Sequence, residues 1–184
     1  MEIKQYLLDS FRYNDGANKL ALNKIRDLPE TDECVRFFSH LVNSMNKWLG
    51  RIEKWGEHGQ FPASISTAHM NPSGDADTSD IQASYKDMDW WLPVYELDEL
   101  EAEWDKCLAM WIAFIESKSE NELFEEVQFS GFDGGQWVAA IKDIALQLNY
   151  HSIHHRAQIQ YLIRQQGLEP EFVDYIGTKY RKLA

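Results

Sequence analysis

The sequence predicts an all-α protein built as a four-helix bundle, and three observations carry that prediction. Four long segments repeat apolar residues every three or four positions. No segment sustains the strict alternation of a half-buried strand. The chain is 184 residues long, 44% hydrophobic and 13% aromatic, a size that buries roughly 70% of its unfolded surface without a disulfide or metal staple. Residues 1–184 are expected to form one domain.

The first helix is expected from about Ile3 to Asp27, with Leu7, Phe11, Leu22 and Ile25 on its apolar face. It should stop at Leu28-Pro29, because proline disfavours helix in the residue before it. Thr31 suits the next N-cap, and Asp32 and Glu33 place carboxylates at the positive end of that helix. The second stripe is Cys34, Phe38, Leu41, Met45, Trp48 and Ile52. From Gly56 to Pro93 glycines, prolines and the polar run NPSGDADTSD interrupt the pattern. This reads as a long loop insertion between helices two and three, with Trp90 and Trp91 near its end packed on the body. The third helix is expected from Leu97 to Ser117, with Leu100, Trp104, Cys107, Leu108, Trp111 and Ile115 on its seam. Val127-Gln128-Phe129, followed by Gly131, Gly134 and Gly135, is the one candidate strand or hairpin. The fourth helix should run from Gln136 to Gln166, with Gly167 as its C′ residue. EPEFVDYIGTKYRKLA then forms a short C-terminal extension, a final turn or helix laid on the bundle.

The net charge is −12, and such a field repels nucleic acid and anionic membranes. No run approaches 18 apolar residues, and no signal peptide is visible at the start, so a cytoplasmic location is expected. Cys34 and Cys107 stand in no CxxC spacing and imply neither a disulfide framework nor a zinc ribbon.

The chemistry sits on the fourth helix. Its seam reads Ile141, Ile144, Leu148, His151, His155, Ile159, Leu162, so two histidines four residues apart lie on a core-facing line. A buried imidazole pair needs partners, and a transition metal satisfies both rings, as do hydrogen bonds or solvent. The run is HSIHH, so a metalloprotease HExxH site is excluded. His154 is turned about 100° from His155 and reads as a flank or surface residue. His40, on the apolar edge of the second helix, supplies a third imidazole. Three neutral imidazoles suit zinc, nickel, copper or iron(II), with zinc or nickel expected first, and leave one or more positions open for water or substrate. His58 and His69 fall in the interruption and read as solvated. Asn14 and Asn18 break the first seam, either as hydrogen-bonded architecture or as the wall of a polar cavity. Trp104 and Trp111 are candidates for apolar pocket wall.

NYHSIHHRAQIQYLIRQQG resembles the terminal motif of the DinB/YfiT-like family, an HxxxHR followed shortly by Gln. CVRFFSHLVNSMNKWLGRI and FRYNDGANKLALNKIRDL are similar to that family's second and first helices, so the likeness covers most of the chain outside Gly56–Pro93. The resemblance implies a four-helix bundle in which His40, His151 and His155 bind a divalent metal. It also marks two departures: Gln147 stands where the family often has a further histidine, at the expected pocket, and Ala157 replaces the usual glycine. The expected pocket lining is Asn14, Asn18, Trp111 and Gln147.

Relatives imply metal-dependent thiol S-transfer or isomerisation on a small-molecule substrate, with a low-molecular-weight thiol as co-substrate. Metal-dependent hydrolysis is the enzymatic alternative, and a non-catalytic metal or small-molecule binding protein of a stress response is the alternative of another class. Proton competition for the imidazoles is expected to empty the site between about pH 6.5 and 4.5. The aromatic excess, with Trp90, Trp91, Phe172 and Tyr175 as candidates, points to a homodimer.

Overall fold

The computed structural model describes residues 2–58, 93–130 and 136–182. Within them the protein is mostly helical: α1 (Ile3–Ile25), α2 (Asp32–His58), α3 (Leu100–Ser117), the single turn α4 (Glu120–Leu123), strands β1 (Glu126–Ser130) and β2 (Gln136–Ala140), and α5 (Ile141–Gln165). A 3-10 turn, Tyr175–Thr178, follows in the tail. The all-α class is therefore right in outline, with a small hairpin added. Helix α1 packs on α5 and α3, and α2 packs on the same two from the other side.

The apolar stripes form the core between these helices. All six residues expected on the α3 seam are buried, and so are Leu7, Phe11, Leu22 and Ile25 of α1. On α2, Cys34, Phe38, Leu41, Met45 and Ile52 are buried, while Trp48 is half-buried with one face on Phe129 of β1. The two tryptophans at the centre keep their indole N–H groups satisfied, Trp104 donating to Asp15 Oδ1 at 3.1 Å and Trp111 to the Met45 carbonyl at 2.9 Å.

Four boundaries differ from the sequence reading. Helix α2 runs on through Gly56 to His58, so His58 ends a helix. Helix α3 begins at Leu100, because residues 97–99 form a turn closed by the Glu99 amide on the Glu96 carbonyl. Residues 136–140 are not the start of the last helix: they pair antiparallel with β1, Ala140 opposite Glu126 and Gln136 opposite Ser130, and α5 starts at Ile141. Tertiary pairing has overridden a stretch that reads locally as helix. The turn α4 was not foreseen, although Ser119 and Glu122 make a capping box whose S-x-x-E spacing is visible in the sequence. At the far end Gly167 adopts φ +81°, as its place after the α5 C-cap requires. Residues 59–92 of the expected insertion, with Trp90, Trp91 and His69, lie outside the described residues.

Candidate metal centre

Helix α5 has two buried faces. One looks at α2 and carries the histidines; the other looks at α1 and carries Asn149, Ser152 and Arg156. On the first face His155 is buried and His151 half-buried, and across from them on α2 stands half-buried His40. The ring centroids lie 4.9 Å (His40–His151), 4.8 Å (His40–His155) and 4.4 Å (His151–His155) apart. One ring nitrogen from each histidine can be chosen so that all three fall within 4.8 Å of one another. An ion bound at about 2.0–2.1 Å spaces tetrahedral nitrogens about 3.4 Å apart. Ring rotation closes that difference, so the residues fit a divalent metal.

The surrounding residues set the chemical state of the ligands. Gln158, one turn beyond His155, faces its ring with Oε1 2.6 Å from Nδ1. An amide oxygen only accepts, so Nδ1 carries the proton and the Nε2 lone pair is left for an ion. Phe37 stacks on the same ring at 5.5 Å and fixes its plane. His151 Nε2 lies 3.3 Å from the Ser44 hydroxyl. Burial pushes His151 down to about 3, with the neighbouring His155 and His40 adding to the fall. Burial also leads for His155, held at about 4 although its bond to Gln158 opposes the shift. Both rings are neutral at pH 7, the form that ligates.

These depressed values also make the stability of the fold depend on pH. In the unfolded chain the two imidazoles take protons near pH 6.5, but in the fold only near 4 and 3. Between those limits the unfolded state binds more protons, so their contribution to stability is complete above about pH 6.5 and is lost as pH falls through the window. The urea midpoint of the metal-free protein is expected to decline as pH falls from about 6.5 to 4. A midpoint that stays constant over that range would contradict the burial of these rings.

The other predicted residues lie elsewhere. His154 is exposed on α5, its ring 5.0 Å from that of His155. Gln147 is exposed, one turn before His151. Trp111 is fully buried, stacked on Phe11 at 5.7 Å. Asn14 and Asn18 are buried and resolve in favour of hydrogen-bonded architecture: Asn14 Nδ2 donates to Asn149 Oδ1 at 2.6 Å and Asn18 Nδ2 to the Ser152 hydroxyl at 2.8 Å. Their side-chain oxygens both accept from Arg156 Nη1, at 2.9 and 2.7 Å. Arg156 Nη2 reaches the Tyr13 hydroxyl, which itself donates to the Val173 carbonyl and so ties the tail to the body. Among the described residues no carboxylate pairs with Arg156; amide oxygens and a phenol neutralise its donors. The sequence reading missed this polar ladder, though Asn149, Ser152 and Arg156 repeat at the same three-and-four spacing as an apolar seam.

Among the described residues no helix is long and apolar enough to cross a membrane. Comparison with curated proteins finds no match. The DinB family model matches residues 4–182, and the three-histidine cluster lies on the helices expected of such a chain. The protein belongs to the DinB family.

Proposed function

We propose that the protein is a metal-dependent enzyme in which His40, His151 and His155 hold one divalent transition ion, zinc or nickel, between two helices of a single four-helix-bundle domain, and that it transfers or isomerises a small molecule with the help of a low-molecular-weight thiol. The observation that carries this reading is the composition of the cluster: three imidazoles from two helices and, among the described residues, no carboxylate within the group. When bound, such an ion lowers the pKa of a thiol at its open position and so makes a nucleophile at neutral pH without a protein base. The chain's own part is to keep His151 and His155 neutral by burial, to fix the His155 tautomer through Gln158, and to hold the two helices at ligating distance. Neither cysteine competes as a nucleophile. Burial pushes Cys34 up to about 11 and Cys107 up to about 12, and both are free and buried, which supports a reducing, cytoplasmic location that cell fractionation checks.

The test is turnover of a thiol with monochlorobimane by metal-loaded protein, with the metal-stripped protein as control. Metal-dependent conjugation is expected. Hydrolysis of an ester or amide probe in its place would make the protein a metal-dependent hydrolase. Inertness of fully metal-loaded protein toward both would make it a binding protein.

We further propose a homodimer. Tyr150, Ile153 and Tyr161 are exposed along the outer face of α5, and Phe172 is 77% exposed in the tail, whereas Tyr175 is engaged within the chain by Tyr13. Light scattering at micromolar concentration should give twice the 21.5 kDa chain mass, and a value near 21.5 kDa would refute the dimer.

A further inference from the structure

The three histidines occupy three corners of a four-cornered array. Helices α2 and α5 run antiparallel here, since Phe37 and His40 meet His155 while Ser44, one turn further along α2, meets His151. On α5 the corners are His151 and His155, four residues apart; on α2 they are His40 and the residue four beyond it, Ser44. Side chains four apart on facing helices point into the same space, so Ser44 holds the fourth place. Its hydroxyl lies 3.3 Å from His151 Nε2, in a half-buried position. His155 offers Nε2, because its Nδ1–H donates to Gln158 Oε1, and His151 turns its own Nε2 toward Ser44. The Ser44 hydroxyl therefore stands beside a ring nitrogen of one of the three histidines.

We propose that Ser44 flanks the open coordination position and donates its hydroxyl hydrogen to the anionic atom of whatever ligand sits there, so that it is the positioning residue for the reactive thiol or water. The inference rests on the three-histidine metal reading above. The hydroxyl and His151 Nε2 are 3.3 Å apart; were an ion held by that nitrogen, the hydroxyl hydrogen would be free to face the open position. Serine suits this place because its hydroxyl is too weakly acidic to serve as an anionic ligand at neutral pH, yet it supplies one donor. A cysteine at the same corner would close the site with a thiolate.

The test uses the full chain loaded with cobalt(II), azide as the probe of the open position, and the variants Ser44→Cys and Ser44→Ala. Ser44→Cys, nearly isosteric, should add a thiolate-to-cobalt charge-transfer band in the near-ultraviolet and abolish the azide-induced change in the visible spectrum. Ser44→Ala should keep cobalt affinity while weakening azide about fivefold to tenfold, the worth of one hydrogen bond. Absence of either result overturns the proposal. Loss of cobalt affinity in Ser44→Ala by about 10–100-fold, with azide affinity unchanged, would instead make Ser44 an orienting partner of His151. If the unaltered protein takes up no cobalt at all, the metal reading itself fails and this inference falls with it; if it binds cobalt and azide while both variants behave like it, only the role of Ser44 is lost.

Discussion

Replacing His155 with alanine is expected to remove most of the metal affinity, whereas replacing His154 should leave the metal-to-protein ratio after dialysis unchanged. The two residues are neighbours in sequence, but helix geometry turns them about 100° apart. His155 is only 7% exposed, lies within 4.8 Å of the His40 ring centroid, and has its tautomer fixed by Gln158. His154 is exposed and stands outside the group whose nitrogens converge. Two imidazoles hold a transition ion far less tightly than three, so the loss should span orders of magnitude in dissociation constant. Retention in the His155 variant with loss in the His154 variant would mean that the α5 face is wrongly assigned.

The second large effect belongs to stability. Arg156→Ala is expected to destabilise the fold by about 3 kcal/mol in urea unfolding. Arg156 is 3% exposed and its guanidinium satisfies the side-chain oxygens of both Asn14 and Asn18 while reaching Tyr13. Truncation leaves two buried acceptors without a donor and opens a void between α1 and α5. Burial lowers the Arg156 pKa, but the group stays charged, so its fork of donors is what the ladder depends on. Arg156→Lys should recover only part of the loss, because an ammonium cannot reproduce that fork. A change below about 0.5 kcal/mol in the alanine variant, the size expected of an ordinary surface substitution, would show that the ladder contributes nothing to the packing of α1 on α5.

Apolar periodicity made the helices legible, and it made the ligands legible because they interrupt it. The α3 seam could be read in full, since its six buried residues are all apolar or cysteine. His151 and His155 stood out because imidazoles replaced aliphatic residues on a line that continued on both sides of them. The same reading passed over Asn149, Ser152 and Arg156, whose burial is sustained by hydrogen bonds to α1 and not by hydrophobicity. Only the matching phase of Asn14 and Asn18 on another helix could have exposed them, and facing phases are not written in either helix alone. Strand β2 was missed for a related reason. WVAAIKDI is apolar enough to extend a helix backwards, and the choice is made by pairing with β1 across the chain. Ser44 was invisible as a site residue because serine four positions after a histidine signals nothing until the facing helix is in place.

The central claim is that His40, His151 and His155 share one ion. The most direct measurement is an anomalous difference map from a zinc-loaded crystal, recorded on both sides of the zinc absorption edge. A single peak is expected at about 2.0–2.1 Å from one ring nitrogen of each of the three histidines. A peak on His154 or on surface carboxylates, with no peak among the three histidines in a crystal whose protein carries stoichiometric zinc, would contradict it.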